Sequence, residues 1–333
     1  MKTNHLLFYL LICIVLCSCN YEFELEDLDT SEKLVLYCMP CADRDTTLIQ
    51  LSKSRPVSQK GTAAHVSDAR ISFTVNGEEQ TVHRAETELP SVPAGCYYVI
   101  GRWKENDVIR MEAEADGLPP VSAQTTIPAG FPLEKVSLML KPTDYSSTLQ
   151  FCVTFRDPSE TDNYYGIRLM EELYHEYMET DEDGLPHLKK ETNCYVIAPD
   201  LDDEPLLNNQ SGLNEIFDMS NNYLEDLYIW SDELIQGKEY TLRLNTYYRP
   251  DYESDDDSEY TRSLTHRYKA SLYALSPEMY RFLKSLNENH NNDWGIAGLA
   301  PIRSHYTNVK NGIGVLGGCR IMETEWMKNL LDK

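Results

Sequence analysis

The chain has 333 residues and a formal charge of −24, with 54 acidic side chains against 30 basic ones. That balance excludes nucleic acid as a partner, because phosphate binding needs a basic stripe and the sequence has none. The length exceeds what one hydrophobic core usually organises, so two domains are expected.

The N-terminus reads as an export leader. Lys2 precedes an unbroken apolar run, Leu6 to Leu16, too short for the roughly 20 residues that span a bilayer as a helix and suited to a signal-peptide core. The run ends in Leu16-Cys17-Ser18-Cys19, which resembles a lipobox: an aliphatic residue, two small ones, then the cysteine that becomes the acylated N-terminus. Residues 1–18 are therefore read as a signal peptide and Cys19 as the lipidation site that holds the chain on a bilayer. Several acyl chains anchor stably, since each buried CH2 contributes about 0.8 kcal/mol. Residues 19–30 form a lipidated acidic tether containing Glu22, Glu24, Glu26 and Asp27.

Residues 31–128 read as the first domain. Strand-length runs fall at Leu34–Tyr37, Thr47–Leu51, Arg70–Val75, Cys96–Arg102, Val108–Ala115 and Ser122–Ile127. Ile71, Phe73 and Val75 alternate with polar residues, and the following Asn76-Gly77 is a hairpin turn signal. No segment has a helical period, so an immunoglobulin-like β-sandwich is expected.

Residues 133–322 read as a larger β-rich domain, followed by a C-terminal tail over 323–333. Strands are predicted at Lys135–Leu140, Leu149–Phe155, Tyr164–Leu173, Cys194–Ala198, Glu225–Ile229, Tyr240–Tyr248 and Thr265–Tyr273. One helix is predicted near 277–289, with Ser276 as N-cap, Pro277 in the first turn, and Tyr280, Leu283 and Leu286 as an apolar stripe. Charge supports the boundary near residue 130: residues 31–128 hold 13 acidic and 10 basic side chains, residues 133–333 hold 36 and 19. Two acidic stretches, Glu179–Asp183 and Asp251–Glu259, read as hairpin tips.

Six cysteines remain after the leader and Cys19: Cys38, Cys41, Cys96, Cys152, Cys194 and Cys319. Three per domain cannot all pair within domains, and the sequence does not choose a pairing. Cys38-Met39-Pro40-Cys41 is a CxxC, but it lacks both the following helix of a redox motif and the second ligand pair of a zinc site.

Other motifs are weighed the same way. Gly312-Ile-Gly314-Val-Leu-Gly317 matches a dinucleotide fingerprint, yet too little chain follows to build the βαβ unit, so a close backbone approach is the better reading. Glu179, Asp181, Asp183 and Gly184 imitate a calcium loop whose twelfth position is Lys190, which rules out an EF-hand. Asp251, Asp255, Asp256 and Asp257 are weak calcium candidates in a loop whose default reading is a solvated face. Neither HExxH nor GxSxG occurs, and no spacing singles out a glycosidase carboxylate pair. Among 22 tyrosines, Tyr247, Tyr248 and Tyr252 are candidate ligand aromatics; Tyr164, Tyr165, Trp230 and Trp294 also enter as aromatic candidates, although tyrosine is equally a strand former.

A family resemblance follows from the order of these features. The lipobox, the tether, Gly95-Cys-Tyr-Tyr-Val, the exit Ala123-Gln-Thr-Thr-Ile-Pro128, Phe155-Arg-Asp-Pro with Asn163-Tyr-Tyr, Ser276-Pro-Glu-Met-Tyr280 and Asn311-Gly-Ile-Gly-Val-Leu-Gly-Gly318 occur in succession. The chain thereby resembles the Bacteroidota lipoproteins grouped as domain-of-unknown-function family 4249, over essentially its whole mature length. The resemblance implies a β-rich protein associated with the outer membrane, often encoded beside TonB-dependent receptors; the acidic residues Glu22, Glu24, Glu26 and Asp27 after the lipidated Cys19 add the expectation of a cell-surface location. It carries no cofactor and no catalytic residue. The expected function is a non-catalytic accessory of TonB-dependent nutrient uptake, binding the receptor or a glycan or peptide ligand. The alternative is an envelope hydrolase acting on glycan or peptide.

Overall fold

A computed structural model describes residues 31–55, 65–131, 133–142, 147–158, 161–181, 183–207, 226–254, 260–290 and 305–329. The leader, Cys19, the tether, Asp255, Asp256, Asp257 and Trp294 lie outside the described residues. Residues Lys33–Lys333 form one compact unit, mostly β, with one α-helix among the described residues.

The N-terminal strands are β1 (Leu34–Cys38), β2 (Thr46–Lys53), β3 (Arg70–Val75), β4 (Glu78–Glu79), β5 (Val82–Arg84), β6 (Tyr97–Ile100), β7 (Val108–Glu114) and β8 (Val121–Thr126). Alternation decides which face each buries. On β7, Ile109, Met111 and Ala113 are buried while Arg110 and Glu112 point outward. Asn76 and Gly77 both take positive φ, 52° and 87°, as a two-residue turn between β3 and β4 requires. Strands β1, β2, β6 and β5 belong to one sheet, and β4, β3, β7 and β8 form the other. Leu34, Leu36, Ile49, Leu51 and Val99 of the first meet Phe73, Ile109, Met111 and Val121 of the second in one core. Trp103 packs on Phe73 with ring centres 5.7 Å apart and donates Nε1–H to Thr47 Oγ1 at 2.8 Å.

The chain continues through β9 (Leu133–Pro142), β10 (Ser147–Arg156), β11 (Tyr164–Thr180), β12 (Pro186–Ile197), β13 (Tyr228–Ser231), β14 (Glu239–Tyr247), β15 (Tyr252–Glu253), β16 (Thr261–Leu275), α1 (Pro277–His290), β17 (Ile313–Leu316), β18 (Cys319–Glu323) and β19 (Met327–Lys328). Strands β14, β10 and β9 make a three-stranded sheet, and a seven-stranded sheet is built on the long pair β11 and β16. Leu149, Phe151, Val153 and Phe155 of β10 are fully buried against Ile167 and Leu169 of β11 and Ala270 and Leu272 of β16. Helix α1 starts as its sequence predicts, with Ser276 Oγ accepting the Met279 N–H at 3.3 Å.

Strand β17 crosses between the regions. The sequence groups it with the second domain, but it pairs in parallel with β1, Val35 opposite Ile313 through Cys38 opposite Leu316. Its glycines make this approach possible. Gly314 has φ +108°, and a Cβ there would lie 1.9 Å from the Leu36 carbonyl oxygen. Gly312 and Gly314 of the fingerprint-like run therefore serve backbone contact with β1, and Gly317 makes room for Met279 of α1.

Candidate functional site

A pocket of about 450 Å³ is lined by residues of β11, β12 and β16 and of the end of β14. Its rim is aromatic and apolar: Tyr195 and Val196 on β12 and Tyr247 at the end of β14 are 49%, 43% and 66% exposed. Arg249, just beyond β14, lines it as well, with a half-exposed side chain.

The floor is an ionic cluster. Glu171 on β11 is buried, and its Oε2 accepts from Arg249 Nη1 at 2.9 Å. Its Oε1 lies 2.9 Å from Nδ1 of the buried His266 on β16; an ionised carboxylate only accepts, so the imidazole donates. Burial pushes the Glu171 carboxyl up, but the His266 hydrogen bond and the Arg249 charge outweigh it and hold the carboxyl below its ordinary range. Tyr268 lies beneath the pocket, and burial, reinforced by the Glu171 and Asp251 carboxylates, keeps its phenol protonated far above the usual tyrosine range. The pocket thus offers flat rings at its mouth and a guanidinium at its side.

Alternation along β14 separates the sequence candidates. Tyr247 turns out to the pocket mouth, while Tyr248 turns inward and is 7% exposed in the larger core, so Tyr248 offers no ring to a ligand. Tyr252 is exposed on β15 but does not line this pocket. Trp230 and Tyr165 are also core residues, with ring centres 5.6 Å apart, so neither offers a ring to a ligand, a correction to their candidacy. Tyr164 stacks on Tyr280 of α1 at 4.5 Å. Asp251 is engaged internally, because its Oδ1 accepts from the His266 backbone N–H and from Asn329 Nδ2, both at 2.9 Å. Among the described residues no group of three or more His, Cys, Asp or Glu is arranged to hold a metal ion.

Sequence reasoning missed Glu171, His266, Arg249 and Tyr195. A signal for the first two was present. Glu171 shares strand parity with Ile167 and Leu169, and His266 with Tyr268, Ala270 and Leu272, so both titratable groups point into a buried face. Tyr195 and Arg249 reach the pocket only through tertiary packing.

Buried carboxylates near the start of β11 have structural duties. Buried Asp157 accepts from the Tyr165 hydroxyl and, at 2.7 Å, from the Gly237 N–H. Buried Asp232 accepts from the Asn163 N–H at 2.8 Å. The Asp157 and Asn163-Tyr-Tyr segments thus knot β10, β11 and the turn before β14 together. A sequence comparison with curated proteins returns no match. The family model described as a domain of unknown function, DUF4249, matches residues 20–325, and the chain belongs to that family.

Proposed function

We propose that this chain is a non-catalytic, lipid-anchored protein of the bacterial outer membrane. On this reading it binds a glycan or peptide in the Tyr195–Tyr247 pocket as an accessory of a TonB-dependent receptor. The observation that carries the reading is the pairing of exposed rings with a buried ionic floor in which Glu171 holds Arg249 and His266. Flat faces beside a guanidinium suit ligands that are apolar on one side and hydroxyl- or carboxylate-bearing on the other. The lipobox-like Cys19 and the resemblance to Bacteroidota lipoproteins support the anchor and the receptor.

The hydrolase alternative asks more of Glu171 than its surroundings support. A general acid for glycoside cleavage needs a raised pKa, whereas Glu171 is held low by two partners. Calorimetric titration with a panel of oligosaccharides and short peptides tests the pocket. Tyr247→Ala is expected to weaken binding about tenfold, since an aromatic contact contributes up to about 1.5 kcal/mol, and to leave Tm unchanged because the ring is exposed. Equal affinity of the variant and the parent contradicts the site. Turnover of a glycan or peptide that disappears in Glu171→Gln favours the enzyme.

A further inference from the structure

Cys41 and Cys319 are far apart in sequence and opposed in space. They form an isolated parallel bridge, with the Ala42 N–H donating to the Cys319 carbonyl at 3.1 Å and the Cys319 N–H donating to the Pro40 carbonyl at 2.9 Å. Directly opposed residues on neighbouring strands lie about 4.8 Å apart with side chains on one face, inside the Cα separation a disulfide spans. Both side chains are buried in the same core, at 4% and 0% exposure. Cys38, the other half of the CxxC, points into the smaller core instead. The CxxC therefore splits its sulfurs between two cores, and the partner of Cys41 is Cys319. The described cysteines are all thiols in this structure.

We propose that Cys41 and Cys319 are a disulfide pair that closes when the chain folds in the presence of a disulfide oxidant. A thiolate of the pair attacks the oxidant RSSR, giving a protein–S–S–R mixed disulfide and one RSH. The second thiolate then attacks the protein sulfur, breaks that bond and releases a second RSH, so two protein thiols become one S–S bond and the oxidant takes up both protons and both electrons. The exchange precedes docking of β18, because the finished core shields both sulfurs. The bond joins the start of the first sheet to the strand that follows β17, locking the C-terminal return described above. Its formation in the cell rests on the export read from the leader; its geometry does not.

The test uses detergent-solubilised full-length protein. One sample is trapped from cells with N-ethylmaleimide under denaturing conditions; another is reduced, unfolded and refolded with oxidised glutathione, and both are mapped by mass spectrometry. A Cys41–Cys319 linked peptide in both samples supports the pair. Linkage only after refolding supports the pair and counts against export to an oxidising compartment. Maleimide on both cysteines after refolding with oxidised glutathione, or a Cys38–Cys41 link in their place, overturns the proposal. Reduction of the linked protein is expected to lower Tm on the order of 10 °C, because the closed loop is long. The doubly substituted Cys41→Ser, Cys319→Ser protein is expected to show no response to reductant, and Cys38→Ser to respond like the parent. A parent Tm indifferent to reductant after oxidative refolding also contradicts the pair.

Discussion

Glu171 concentrates the electrostatics of the second region at one side chain. Its folded pKa is lowered by His266 and Arg249 against the effect of burial, so its contribution to stability is complete above the ordinary glutamate value of 4.5 and is lost as pH falls through the folded value. Glu171→Gln leaves a buried imidazole and a guanidinium without their anion and is expected to cost about 3 kcal/mol at pH 7. It is also expected to flatten the stability curve below pH 4.5 relative to the parent. Urea midpoints measured from pH 7 down to pH 3 check both expectations. Equal acid sensitivity in the two proteins would move its source to another carboxylate.

At the scale of elements, glycine decides whether the C-terminal strand can join the first sheet. Gly314 combines φ +108° with a virtual Cβ 1.9 Å from the Leu36 carbonyl oxygen, so Gly314→Ala is expected to cost about 4 kcal/mol or more. Gly184, at the β11–β12 hairpin tip, has φ +77° and open space around it; Gly184→Ala is expected to cost only about 1 kcal/mol. Comparable denaturation midpoints for the two variants would contradict the close approach of β17 to β1. Much of the element map is legible in the sequence because the elements carry local signals. Alternation marks β3, β7 and β10, Asn76-Gly77 marks a turn, and Ser276-Pro277 marks the helix start. The lengths of β11 and β16 are less legible: they run to 17 and 15 residues, past the point where alternation fades, because partners on both sides keep satisfying their backbone groups. The close approach at β17 is legible in its glycines, but its partner β1 and the pairing of β19 with β16 are not, since those pairings are set by distant chain. The site follows the same rule. Tyr247 stands out by composition, whereas Tyr195 and Arg249 reach the pocket only once β12 and β14 converge.

For the whole molecule, the proposed anchor and the proposed partner are coupled. A lipid on Cys19 would confine the body to one surface, where even a weak interface is populated through high effective concentration. Cys19→Ala is therefore expected to abolish palmitate labelling and release the protein from the membrane fraction; label retained on the variant contradicts Cys19 as the lipid site. The uneven charge, 36 acidic against 19 basic side chains over residues 133–333, fits a region that faces either solvent or, on the proposed reading, a basic receptor rim. The most direct test is affinity purification of the tagged full-length protein, in mild detergent, from cells that also produce a TonB-dependent receptor. We predict that a TonB-dependent receptor, identified by mass spectrometry, co-purifies in near-stoichiometric amount with the parent and is lost with Cys19→Ala. Recovery of the parent as a lone monomer from those cells would contradict the account.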